Sequence, residues 1–268
     1  MIVFPNCKIN LGLHVIRKRP DGFHDLETVF YPLPLTDALE VISPGTLSFT
    51  SSGIPIPGNT ADNLCLKAWH LLKRDFPTLP EINIHLHKHI PIGAGLGGGS
   101  ADAAFILRLL NNRFQLSLTE EQLIQYAATL GSDCAFFIRN EACYATGRGE
   151  ILESIALDLG SWSFVLVDPG IHVNTGWAFS HITPKVPAQS LRNSISGPVE
   201  NWKTTIINDF ETPVFNAHPE LGKIKEQLYA HGAVYATMSG SGSAMVGIFP
   251  KNKISGITFN PGYKVFLL

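Results

Sequence analysis

The residues best suited to chemistry lie between Lys88 and Ala104, in the run K-H-I-P-I-G-A-G-L-G-G-G-S-A-D-A-A. Five glycines (Gly93, Gly95, Gly97, Gly98 and Gly99) fall within seven residues, and Ser100 closes the run. Glycine lets a main chain approach anionic oxygens closely, and N–H groups at a helix start favour negative charge. The expected chemistry is phosphate binding, by neither of two familiar routes. A Walker P-loop needs Lys just before its final Ser or Thr, and Gly99 holds that place. Gly93-x-Gly95-x-x-Gly98 fits a dinucleotide fingerprint, but a Rossmann unit would place another buried strand after the helix. Here Asn111-Asn112-Arg113 leads to a second helical pattern instead.

Such a loop needs a strand before it and a helix after it. Ile82, Ile84 and Leu86 alternate with Asn83, His85 and His87, the period of a half-buried strand. Residues 101–110 are apolar apart from Asp102 and Arg108, which predicts a buried helix with Ser100 as its N-cap. Asp102 reads first as a cap of that helix, with the positioning of a cation through water as the alternative. Thr119 and Gln122 form a capping box for a helix over 119–130, with Gly131 at its C-terminal end. Asp133 then stands in the junction before the apolar run 134–138, as a turn former or as a catalytic carboxylate.

Upstream, 8–16 alternates as a strand, with Lys8 and Asn10 on one face. Pro20-Asp21-Gly22 is a turn, and strand-like residues run over 23–30. Further strands are predicted near 39–43 and 47–50, a helix over 62–76 and a hairpin around 141–154. From about residue 160 come a buried strand over 162–167, helices near 201–207 and 219–230, and strands near 233–238, 244–249 and 263–267. The Pro-, Ser- and Asn-rich stretch 183–201 reads as the least ordered. The fold class is α+β, divided into residues 1–157 and 158–268. The second part holds another glycine-rich element, Met238-Ser239-Gly240-Ser241-Gly242-Ser243-Ala244, either a tight turn or a second clamp on the same phosphates.

Composition narrows the classes. The chain has 268 residues, 45% hydrophobic and 16% charged, with a net charge of −2. The absence of a basic tract argues against nucleic acid, and no apolar run is long enough to span a membrane. Met1 to Lys8 lacks the basic and long apolar regions of a signal peptide. Cys7, Cys65, Cys134 and Cys143 have no metal or redox spacing, so a reducing cytoplasm is expected.

Three separated motifs resemble the GHMP kinases (galactokinase, homoserine kinase, mevalonate kinase and relatives). Pro91-Ile92-Gly93-Ala94-Gly95-Leu96-Gly97-Gly98-Gly99-Ser100 resembles their ATP-phosphate loop, Pro5-Asn6-Cys7-Lys8-Ile9-Asn10-Leu11 their N-terminal motif, and Ser239-Gly240-Ser241-Gly242-Ser243 their C-terminal glycine motif. Asp21-Gly22-Phe23-His24, Gly131-Ser132-Asp133, and Asp168-Pro169-Gly170 with Thr175 and Phe179 resemble a branch acting on a cytidine diphosphate-linked methylerythritol. The resemblance implies an N-terminal domain like the second domain of ribosomal protein S5, a ferredoxin-like C-terminal domain and an active site between them. It also implies ATP and Mg²⁺, with Lys8 and Asp133 as the catalytic pair and Asn63 near ATP. By the same resemblance Asn10 and His24 contact the substrate, and Phe23 with Phe179 stacks on its base. Thr175, Gly240, Ser241 and Gly242 complete the substrate side. A cytoplasmic monomer or weak homodimer is expected. Phe23 stands where tyrosine is common, and Cys134-Ala135 replaces a frequent Val-Pro.

Overall fold

The computed structural model describes residues 1–43, 45–251, 253–254 and 256–268. In chain order its first elements are β1 (Ile2–Val3), β2 (Asn6–Lys18), β3 (His24–Thr36), β4 (Ala38–Ile42), β5 (Ser48–Gly53), α1 (Leu64–Asp75) and β6 (Asn83–Lys88). Then follow α2 (Gly98–Phe114), α3 (Glu120–Leu130), α4 (Cys134–Arg139), β7 (Cys143–Thr146), β8 (Ile151–Ser154) and β9 (Trp162–Asp168). The remainder comprises α5 (Thr175–Ser180), α6 (Leu191–Ile195), α7 (Trp202–Thr205), α8 (Glu211–Ala217), α9 (Pro219–Ala230), β10 (Tyr235–Met238), β11 (Met245–Pro250) and β12 (Lys264–Leu267).

These elements fall into two compact units that interleave along the chain. One comprises Met1–Cys7, Pro34–Ile92 and Gly97–Glu141; the other comprises Lys8–Leu33, Gly93–Leu96 and Ala142–Leu268.

The first unit contains a sheet of order β1-β4-β6-β5 and the helices α1 to α4. Antiparallel pairing sets Leu39 opposite Leu86 and Val41 opposite Ile84, and all four side chains are buried. The expected alternation of β6 therefore holds. On α2 the alanines 101, 103 and 104 are buried with Ile106 and Leu107. The capping box of α3 has both halves: Thr119 Oγ1 accepts from the Gln122 N–H at 3.3 Å, and Gln122 Oε1 accepts from the Thr119 N–H at 2.9 Å.

The second unit holds most of the sheet β2-β3-β7-β8 and all of the sheet β10-β11-β9-β12. Its core gathers Leu13, Val15, Val165, Val167, Phe210, Leu221, Ile224, Leu228 and Met245. Strand β2 departs from simple alternation, because every residue from Cys7 to Val15 is buried. The face bearing Lys8, Asn10 and His14 is thus an internal polar face, not a solvated one. The stretch 183–201 is also more ordered than its composition predicts. Ser190 caps α6 through the Arg192 N–H, while buried Glu27 accepts from the Tyr144 and Ser190 hydroxyls and from the Leu191 N–H. Helices α5 and α8 were not evident from periodicity; both are short.

Candidate functional site

The phosphate loop leaves the first unit after Ile92, counts Gly93–Leu96 in the second, and re-enters the first at Gly97. Gly93, Gly95 and Gly97 adopt φ of 70°, 81° and 69°, the left-handed region that glycine enters without penalty. Helix α2 starts earlier than the sequence suggests. Its N-cap is Gly97 and Gly98 is its first residue, so Ser100 sits inside the first turn and no side chain caps the end. That corrects the expected Ser100 cap. It leaves an uncapped helix terminus opening from a glycine loop, the arrangement that takes phosphate oxygens. A Cβ on Gly99 would meet nothing within 4 Å, so the main chain there is open to a ligand.

Beneath the same terminus lies a buried charge cluster. Lys88 Nζ donates to Asp37 Oδ2 at 2.5 Å and to Asp102 Oδ2 at 2.7 Å. Asp37 Oδ1 accepts from the His89 and Ile90 N–H groups at 2.6 and 2.8 Å. Asp102 is therefore a buried ion-pair partner and not the helix cap expected of it. Burial pushes its carboxyl up to about 7 against the pull of Lys88. Burial also opposes the charge on Lys88, yet the two carboxylates together raise its pKa. Gly98 fits closely here, because a Cβ would meet Lys88 Nζ and Ile90 Cγ2, each at 2.9 Å.

Also in the first unit, Asp133 is half-buried at the N-cap of α4. Its neighbour Cys134 hydrogen-bonds Ser100, which ties the start of α4 to the start of α2; burial, with the Asp133 charge, pushes that thiol up to about 11 despite the bond. Pro91 is buried, and Asn63 caps α1 by accepting from the Cys65 N–H at 2.9 Å.

The second unit assembles a polar network around β2. Lys8, 4% exposed, donates to Asn10 Oδ1 at 2.7 Å and lies 4.7 Å from the centre of the Phe30 ring. Asn10 Nδ2 donates to Thr28 Oγ1 at 2.9 Å, and that hydroxyl donates to the Gly12 carbonyl at 2.6 Å. The Asn10 N–H donates to Ser239 Oγ at 3.2 Å, which in turn donates to the Gly95 carbonyl at 2.8 Å. The Ala244 N–H donates to the Ala94 carbonyl at 3.1 Å, and the Lys8 N–H to the Leu96 carbonyl at 3.0 Å. Lys8, Asn10, residues 94–96 and the second glycine loop thus form one bonded cluster. Asn10, which the family resemblance puts against substrate, is 2% exposed, and its amide bonds Lys8 and Thr28.

The aromatic residues sit differently from a simple two-ring slot. His24 stacks on Phe179 with ring centres 4.8 Å apart and planes 14° apart. Phe23 is exposed, and the Arg148 guanidinium lies 4.7 Å from its ring centre. Burial, with the charge of Lys18, lowers the His24 pKa, so the imidazole is neutral at pH 7 and has one donor and one acceptor nitrogen. Thr175 Oγ1 and Ser241 Oγ share a hydrogen bond of 3.0 Å, while Gly240 and Gly242 are buried.

Sequence reasoning missed Asn208 and Glu211. Asn208 Nδ2 donates to the Met238 and Gly240 carbonyls, both at 2.8 Å, and Glu211 Oε1 accepts from the Met238 N–H at 2.9 Å. The usable signal was Asn208, Asp209 and Glu211 interrupting the apolar Ile206, Ile207 and Phe210. Among the described residues no group of three or more His, Cys, Asp or Glu side chains is arranged to hold a metal ion. No described helix is long and apolar enough to cross a membrane.

The profile of the GHMP kinases N terminal domain matches residues 63–141, and that of the GHMP kinases C terminal domain matches 199–257. A protein of Bacteroides thetaiotaomicron named 4-diphosphocytidyl-2-C-methyl-D-erythritol kinase is 54% identical over 93% of this chain and 92% of its own. The chain belongs to the GHMP kinases. A kinase of the same name from Cytophaga hutchinsonii is 49% identical over 93% of this chain and 92% of its own. The crystal structure of a 4-(cytidine 5'-diphospho)-2C-methyl-D-erythritol kinase has a TM-score of 0.80 at 33% identity, covering 92% of this chain and 90% of that one. Methanococcus jannaschii mevalonate kinase has a TM-score of 0.72 at 12% identity, covering 100% of this chain and 97% of that one, a likeness of fold alone. The protein is an ATP-dependent small-molecule kinase with the two-domain α+β fold of GHMP kinases.

Proposed function

We propose that this GHMP kinase transfers the γ-phosphoryl group of ATP to the 2-hydroxyl of 4-diphosphocytidyl-2-C-methyl-D-erythritol, a step of the non-mevalonate route to isoprenoid precursors. The observation that carries this reading is the nearly end-to-end likeness to kinases named for that substrate. The uncapped start of α2 and the glycines before it suit the nucleotide's phosphates, with Asn63 near the nucleotide. A Mg²⁺ ion arriving with ATP would supply positive charge to the phosphates held at the start of α2.

Phosphoryl transfer asks a protein mainly for positioning and charge stabilisation. The acceptor oxygen bonds to the γ-phosphorus as the bond from that phosphorus to the bridging oxygen of ADP breaks. Asp133 orients the acceptor hydroxyl and takes its proton late. Lys8 balances the charge, its ammonium held by Asn10. His24, Phe179 and Phe23 serve the cytosine, and Thr175 with the loop 240–242 serves the diphosphate side of the acceptor. The order β10-β11-β9-β12 supports a ferredoxin-like C-terminal part, since strands counted from β9 read 2-3-1-4 across the sheet. We place the functional division near residue 157, with an N-terminal part like the second domain of ribosomal protein S5. We also infer a cytoplasmic protein acting as a monomer or weak homodimer.

The test offers purified protein and MgATP with the cytidyl-methylerythritol acceptor, homoserine and mevalonate in turn, following ADP release and the phosphorus NMR spectrum of the product. Turnover of the first acceptor alone is expected; equal or better turnover of another would overturn the substrate. Asp133→Asn is expected to abolish turnover while both substrates bind within about tenfold of wild type. Near-normal turnover in that variant would remove Asp133 from the mechanism.

A further inference from the structure

His172 lies in the turn between β9 and α5, exposed to solvent. Its neighbours on both sides are fixed. Ser243 donates its hydroxyl to the Ile171 carbonyl at 2.5 Å, and Val173, 3% exposed, belongs to the apolar core of the second unit. A Cβ on Gly242 would touch Val173 Cγ2 at 3.6 Å, so the second glycine loop backs this turn.

Held in that way, the imidazole rests against the first glycine of the phosphate loop. A Cβ on Gly93 would meet His172 Nδ1 at 3.3 Å and Cε1 at 3.7 Å. Gly93 is itself exposed and left-handed, at φ 70°. Among the described residues the His172 ring has no hydrogen-bond, ion-pair or stacking partner. An exposed turn histidine is ordinarily just solvated. This one differs because anchored flanks set its ring beside a phosphate loop and its nitrogens are uncommitted. The loop also supplies no lysine, so its own donors to an anion are main-chain N–H groups.

We propose that His172 is a binding residue for a phosphate oxygen of the ligand held at Gly93. The inference rests on the reading of residues 93–100 as a phosphate site, not on the identity of the acceptor. Two ligands bring such an oxygen, the nucleotide and the diphosphate of the acceptor, and the shared chemistry is a diphosphate anion accepting an imidazole N–H.

The experiment uses the full chain with His172→Ala and His172→Gln, and measures calorimetric affinities for MgADP and for cytidine diphosphate beside thermal melts. Losing one such hydrogen bond is expected to weaken one of the two ligands about tenfold in the alanine variant. Glutamine, which keeps an N–H donor, should recover part of that loss, and the melting temperature should not move. A loss confined to MgADP assigns the nucleotide, and one confined to cytidine diphosphate assigns the acceptor. Affinities of the alanine variant within twofold of wild type for both ligands would overturn the proposal. So would equal losses accompanied by a lowered melting temperature, since they would make His172 structural. A wild-type protein that binds MgADP through His172 but ignores the methylerythritol acceptor would sink the proposed substrate and leave this site standing. An active kinase indifferent to His172 would do the reverse.

Discussion

Residues 93–100 and 238–243 are both rich in glycine, yet their polar groups keep different company. The first run ends in a helix terminus that no side chain caps. In the second, Asn208 takes the Met238 and Gly240 carbonyls, Glu211 takes the Met238 N–H, and the Ser239 hydroxyl serves both Asn10 and Gly95. A cradle must keep its donors for a ligand, whereas a brace spends them internally. Glycine content does not distinguish the two; the polar side chains of the surroundings do. The start of the second loop, at Met238 to Gly240, is thus tied to Asn208, Glu211, β2 and Gly95, while Ser241 meets Thr175.

The largest expected effect separates glycines within the first loop. A Cβ on Gly95 would drive into the Ser239 carbonyl oxygen, and φ there is 81°. Gly95→Ala is expected to destabilise the protein by about 3–5 kcal/mol in urea unfolding, whereas Gly99→Ala should leave stability unchanged or raise it by about 0.5–1 kcal/mol. Gly99→Ala should nonetheless weaken MgADP; unaltered nucleotide affinity would mean that the open main chain is not a cradle. Next, Asn208→Leu removes one donor from each of two buried carbonyls, of which Met238 keeps the Thr237 hydroxyl at 3.3 Å, and should cost about 1–3 kcal/mol. A variant melting with wild type would show that the second loop needs no brace.

A smaller effect should appear with pH under the first loop. The Asp102 carboxyl, raised to about 7 by burial, keeps a proton that the unfolded chain releases near pH 4. The raised value adds stability that is complete below about pH 4 and is lost as pH rises through about 7. Asp102→Asn has no such titration, so its melting temperature should gain on wild type between pH 5 and pH 8. A constant difference across that range would count against the raised carboxyl. Smallest of all, Thr119→Ala removes a cap whose bonds stay within the first turn of α3 and should cost about 1 kcal/mol without altering MgADP affinity. Any change in nucleotide binding there would blur the contrast between local and loop effects.

Much of the first loop was legible because it is written in local signals. The strand before it, the glycines and the capping box of α3 depend on neighbours a few residues away, and all three form. The helix start was misplaced because glycine at Gly97 can begin a helix without a capping side chain, which composition does not signal. Period two correctly predicted β2, but periodicity cannot tell a solvated polar face from one that buries Lys8 and Asn10 against Thr28 and Ser239. Asn208 and Asp37 were invisible for a related reason. Each acts on main-chain groups that are tens of residues away or on the far side of a turn, and only tertiary structure supplies those partners.

The interleaving of the units bears on how the chain is made. When synthesis has passed Glu141, every segment of one unit has been translated, but only Lys8–Leu33 and Gly93–Leu96 of the other. Leu13 and Val15, which share a buried core with Val165, Phe210 and Leu228 in the finished protein, then wait for partners still to be translated. During that interval a nascent chain leaves this part of β2 as exposed apolar surface, open to any chaperone at hand.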